Sequence, residues 1–142
     1  MKLLDKFSYL IKKNKTINPF NGSKLIITPD KALLRLHYAQ TNCPRLVIIT
    51  PDLLTKANNQ LLYTIATHLK SHNYDVLTWE FRGKDKYSAN KLCWTHPGAS
   101  EDLSAVFSDA MFSYRYSKIS FISFGTGANI ALKFLGEHGD NL

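Results

Sequence analysis

Residues 118–135 read K-I-S-F-I-S-F-G-T-G-A-N-I-A-L-K-F-L. An apolar run rich in Ile and Phe stops at two glycines one residue apart, and apolar residues at helical spacing resume immediately after them. The pattern predicts strand, tight turn, helix. Working outward, the same alternation recurs upstream. Residues 45–50 (R-L-V-I-I-T) form a continuous apolar run, as expected of a parallel strand covered on both faces. Leu61, Leu62, Ile65, Ala66 and Leu69 follow helical spacing after Asn58 or Asn59, and residues 75–81 (D-V-L-T-W-E-F) are a second strand. A helix opens at Ala99 or Ser100, with Glu101 and Asp102 in the first turn, where acids complement the dipole. Strand, helix, strand, helix, strand, helix implies an α/β fold with a mostly parallel sheet. Two further runs, 24–28 and 32–39, flank Pro29-Asp30 and predict an N-terminal hairpin, in which His37 is an exposed strand residue.

The turn at 123–127 has the small-x-nucleophile-x-small spacing of a nucleophile elbow, in which the central residue sits at φ > 0 above the sheet. Ser123 and Gly127 fill the outer small positions, Phe124 and Thr126 the intervening ones, and the centre is Gly125. Glycine offers no side chain to attack a substrate, and it relieves the roughly 1–3 kcal/mol that positive φ costs other residues. Ser123 and Thr126 carry the nearest hydroxyls. A rival reading takes Gly125-Thr126-Gly127 as the start of a phosphate-binding loop, but the third glycine of G-x-G-x-x-G would fall on Ile130. A plain strand-to-helix turn without chemistry is the third reading.

Among 142 residues, 44% hydrophobic, one core is expected rather than two. The net charge of +7 lies early: residues 1–45 carry nine Lys/Arg against Asp5 and Asp30, and the remainder is balanced. Residues 1–13 space Leu3, Leu4, Phe7, Leu10 and Ile11 as a short basic amphipathic helix. It could dock on the protein itself or lie on a membrane surface. Residues 1–17 are therefore set apart as a basic segment, and 18–142 as the domain. The basic arm contains no nucleic-acid motif, so no nucleic-acid partner is expected. Cys43 and Cys93 show no metal spacing, and His68 and His72, four apart on a helix, lack a third ligand. No metal or cofactor is expected. Without a signal-peptide core or a long apolar run, a cytoplasmic location is the expectation.

From residue 44 onward the ordered set P-R-L-V-I-I (44–49), F-R-G (81–83), H-P-G-A-S-E-D-L (96–103), the elbow, and A-N-I-A-L-K-F-L-G-E-H-G-D (128–140) resembles the YheT and ABHD lipase-like α/β-hydrolases, including their plant embryogenesis-associated relatives. The resemblance implies the N-terminal half of an α/β-hydrolase fold and an ancestry in carboxylic or lipid ester hydrolysis. It also implies that the nucleophile position is Gly125 and that the oxyanion loop, H-G-x-x-G in the family, is replaced by Thr50-Pro51-Asp52-Leu53-Leu54. Proline brings no N–H, and one missing oxyanion donor costs about 2.7–4 kcal/mol. A carboxylate at Asp52 some 5 Å from a developing oxyanion would repel it by roughly 3 kcal/mol at an effective dielectric of 20.

The acid and His of the family follow the nucleophile. Here only Glu137, His138 and Asp140 do, on or just past the helix leaving the elbow. His96 is assigned a structural role, and Arg82 a role bracing its loop. The expectation is a truncated, catalytically degenerate homologue without catalytic residues. Two alternatives stand beside it: a binding or scaffold module, or an esterase half completed by another chain. The strand at 118–124 would present an apolar edge to a protein partner or to a second copy.

Overall fold

The computed structural model describes residues 17–53, 55, 59–83 and 99–141. The expected basic helix of residues 1–13, Cys93 and His96 lie outside them. Strands β1 (Gly22–Ile27) and β2 (Leu33–Ala39) form the predicted hairpin. Its turn is fixed by Thr28, whose side chain accepts the Ala32 N–H at 2.9 Å, and by Lys31 at φ 66°. β3 (Arg45–Thr50), α1 (Gln60–Ser71), β4 (Asp75–Glu80), α2 (Ser100–Ser113), β5 (Lys118–Ser123) and α3 (Thr126–His138) follow, with a single 3-10 turn at Gly139–Asn141.

The sheet order is β1-β2-β4-β3-β5. β2 is antiparallel to both neighbours, while β3 is parallel to β4 and to β5, so β2 alone runs against the rest. This is the mostly parallel α/β sheet that the sequence predicts.

Alternation along the strands explains the two-sided core. In β3, Leu46 and Ile48 face α2 and α3, joining Leu36, Trp79, Leu103, Val106, Ile130 and Phe134. Val47 and Ile49 face the other way, with Val76, Leu62 and Ala66 of α1. A strand buried on both faces favours apolar residues at successive positions, which is why 46–49 reads as a continuous apolar run. Each such side chain contributes about 1.5–3 kcal/mol on burial.

The helix boundaries follow local chemistry. Asn59 caps α1 by accepting the Leu61 N–H at 2.8 Å. The chain leaves α1 through Asn73 at φ 59°, a residue type that tolerates the left-handed region.

Two buried acids tie the loops to this frame. Asp75 accepts the Thr41 N–H (2.7 Å), the Thr41 hydroxyl (3.0 Å) and the Tyr116 hydroxyl (3.1 Å), joining the β2–β3 and α2–β5 connections. Burial beside Asp75 pushes the Tyr116 phenol above its ordinary pKa. Asp102, 0 % exposed, accepts Arg82 Nε at 2.8 Å and Arg82 Nη2 as well. The same guanidinium reaches Asp30 Oδ2 at 2.6 Å. Arg82 thus braces the hairpin turn against the first turn of α2, and the Arg82 hydrogen bond holds the Asp30 carboxyl down at about 2. His37 departs from its sequence reading: it is half-buried, with Nε2 2.9 Å from Glu80 Oε1 on the neighbouring strand, because β4 and not solvent lies beside it.

Candidate functional site

The sharp turn between β5 and α3 rests on two glycines with different duties. Phe124 donates its N–H to Thr50 O at 3.0 Å, keeping the chain in register with β3 to the last residue of the strand. Gly125 then takes φ 51°, ψ −123°, and α3 begins at Thr126. Few side chains tolerate that conformation. Gly127 is required by proximity: a Cβ there would collide with Pro51 O and lie 2.7 Å from Thr50 O. The helix can leave the strand end at this angle only because its second residue has no side chain.

β3 ends alongside, and the chain turns through Pro51 and Asp52, with Thr55 N–H bonded to Asp52 O at 2.9 Å. One oxygen of Asp52, Oδ1, accepts the Leu53 N–H at 2.8 Å and the Thr126 N–H at 3.0 Å. Two backbone donors from separate elements converge on one anionic oxygen, and one of them is the first residue of a helix, whose dipole favours negative charge. This is oxyanion-hole geometry with a carboxylate of the same chain in it. Where the sequence suggested Asp52 about 5 Å from a developing oxyanion, the structure has its carboxylate in direct contact with the Thr126 N–H at the start of α3. The donor from this loop is the Leu53 N–H, two residues after Pro51.

Gly125 makes room for this. A Cβ on Gly125 would lie 2.5 Å from Asp52 Cγ and 2.5 Å from Oδ1. A side chain at position 125 and the Asp52 carboxylate would compete for one volume.

The remaining expected residues do not gather here. Ser123 Oγ and Thr50 Oγ1, partners in the β3–β5 register, are buried with no hydrogen-bond partner among the described residues. No base therefore touches Ser123 among them. Glu137 and His138 lie at the far end of α3, about 17 Å along its axis from Thr126 at 1.5 Å per residue. Glu137 accepts the Ser100 hydroxyl at 2.6 Å, which with Lys133 holds its carboxyl below the usual range. Arg82 is engaged by Asp30 and Asp102. His72 Nδ1 lies 2.9 Å from His68 O, and no group of three or more potential metal ligands occurs among the described residues.

Solved structures share this architecture. An esterase of Pyrococcus furiosus superposes with a TM-score of 0.71 at 24% identity, over 83% of this chain and 47% of that one. The fold is that of the α/β-hydrolases. An alpha-beta serine hydrolase homologue from Coxiella burnetii gives 0.65 at 23%, over 83% and 58%. A cold-adapted esterase from an Arctic intertidal metagenomic library gives 0.60 at 9%, over 82% and 53%. This chain therefore spans about half the length of the α/β-hydrolase structures it matches. No protein-family model and no curated protein sequence matches it. Among the described residues, no helix is long and apolar enough to cross a membrane.

The sequence reading missed the occupied hole. The available signal was Asp52 followed by a non-proline residue, with an N–H to donate, in the loop facing a glycine at the elbow centre.

Proposed function

We propose that this chain is a non-hydrolytic protein of the α/β-hydrolase fold, descended from ester hydrolases of the YheT and ABHD lipase-like kind and acting in the cytoplasm through binding rather than turnover. The observation that supports this reading is Asp52 Oδ1 held at 2.8 Å and 3.0 Å by the Leu53 and Thr126 N–H groups. An acyl oxyanion would have to displace a tethered carboxylate from both donors, and no hydroxyl projects from Gly125 to create that oxyanion.

Incubation of the purified chain with a fluorophosphonate probe and with p-nitrophenyl acyl esters tests the reading. Neither labelling nor turnover above a buffer control is expected. Labelling that vanishes in Ser123→Ala would overturn it and make Ser123 the nucleophile.

A further inference from the structure

The β1–β2 hairpin carries an apolar surface on the face that α1 shares. Its register puts Lys24 and Ile26 with Leu34 and Leu36 on the face packed by α2 and α3. Leu25 and Ile27 therefore fall on the opposite face, with Leu33, Arg35 and His37. Among the described residues α1 is the helix packed on that face, and it sits over β3 and β4, where Leu62 and Ala66 meet Val47, Ile49 and Val76. On the edge strand beyond, Leu25 is 42 % exposed and Ile27 70 %. Edge strands ordinarily carry charge at such positions.

The chain enters the domain on this same face. Phe20 packs with the α1-side cluster, its ring 6.1 Å from that of His37 and 6.1 Å from that of Tyr63 on α1. Lys70 of α1 donates to Pro19 O at 3.2 Å, and Ile17 just ahead of it is 87 % exposed. The residues before Ile17 thus start on the α1 side of the hairpin. We infer that residues 1–13 form a helix that packs on the face bearing Leu25 and Ile27, beside α1 and antiparallel to β1.

The lengths match. Thirteen residues of helix rise about 20 Å, and the extended residues of β1 cover about 20 Å as well. Residues 14–16 are enough to turn the chain back. Leu3, Leu4, Phe7, Leu10 and Ile11 make a single helical stripe. Laid antiparallel on β1, that stripe brings Leu10 and Ile11 down near Leu25, and Leu3 and Leu4 near Ile27 and Leu33. Lys2, Lys6, Lys12 and Lys13 lie off the stripe and keep their charged ends in water. A membrane surface is the competing partner for a basic amphipathic helix. Tethering favours the hairpin: a short linker sets a local concentration on the order of millimolar, and an intramolecular contact gives up no translational freedom. Docking also removes both apolar surfaces from water at once, whereas a helix laid on a bilayer leaves Leu25 and Ile27 where they are.

Amide hydrogen exchange on the full chain tests this, alongside Leu25→Lys/Ile27→Lys on the hairpin, Leu132→Lys on the exposed side of α3 as a control, and Phe7→Asp in the segment itself. Without lipid, and in a species that light scattering shows to be monomeric, amides of residues 3–11 should exchange at least about tenfold more slowly than in an unstructured peptide. Leu25→Lys/Ile27→Lys should remove that protection and Leu132→Lys should keep it. Phe7→Asp lies outside the described domain, and it should speed exchange in residues 23–27 while leaving α1 and α2 protected. Each of four results would overturn the proposal: unprotected amides in residues 3–11, protection gained only on vesicles of phosphatidylcholine and phosphatidylserine, protection that survives Leu25→Lys/Ile27→Lys, or unchanged exchange of residues 23–27 in Phe7→Asp.

Discussion

Gly125 and Asp52 should behave as one unit in a double-mutant cycle. Gly125→Ala places a methyl group 2.5 Å from Asp52 Cγ and Oδ1 and 2.9 Å from Oδ2, so the carboxylate has to swing out of its pair of donors. Hydrogen bonds to a charged group contribute about 1.5–3 kcal/mol net to stability. Because Gly125 is solvent-exposed, water can reach the vacated N–H groups, and about 2 kcal/mol is expected for losing both. Forcing alanine to φ 51° adds roughly 1–3 kcal/mol of backbone strain. Gly125→Ala should therefore cost about 3–5 kcal/mol and Asp52→Ala about 2 kcal/mol, measured by urea unfolding at constant m-value. The double variant should be no less stable than Gly125→Ala alone, because the clasp can be lost only once. The coupling energy is then about 2 kcal/mol. Additivity to within about 0.5 kcal/mol would show that the two positions do not share a volume, and the site geometry would be wrong.

Arg82→Leu should cost about 3–5 kcal/mol, because it leaves Asp102 charged and buried without its partner; unfolding transitions of Arg82→Leu and of Arg82→Leu/Asp102→Leu check this, with the double variant recovering much of the loss. The Asp30 carboxyl, held at about 2 against an ordinary 3.8, contributes stability that is present above pH 3.8 and lost as pH falls toward 2. Arg82→Leu should flatten that part of the acid-unfolding curve, and an unchanged curve would refute the assignment. Gly125→Ser alone should give no turnover of p-nitrophenyl esters, since the new Cβ strikes Asp52 and a serine needs a neighbouring base to attack; activity in that single variant would show that the catalytic partners have been misplaced.

The fold was legible because its determinants are one-dimensional. A strand buried on both faces favours apolar residues at successive positions, as in 46–49, and a helix covering it has to repeat near every third or fourth residue, as in Leu62 and Ala66. Gly125 was legible for a similar reason, since positive φ selects glycine whatever surrounds it. His37 was misread because alternation along β2 reports which face a residue takes, and says nothing of the strand that lies beside it; the partner Glu80 is distant in sequence and adjacent only once β2 and β4 pair. Asp52 is the fullest case of the same limit. Its charge suggested repulsion so long as the elbow was pictured with an acyl oxyanion in place, and the sign of the effect depends on which group holds the hole. Three facts from separate places decide that: the missing Cβ at Gly125, the N–H at Leu53 and the helix start at Thr126. Only the parallel pairing of β3 with β5 brings them within hydrogen-bonding distance, and there the acid that would oppose catalysis becomes a strut joining the two loops.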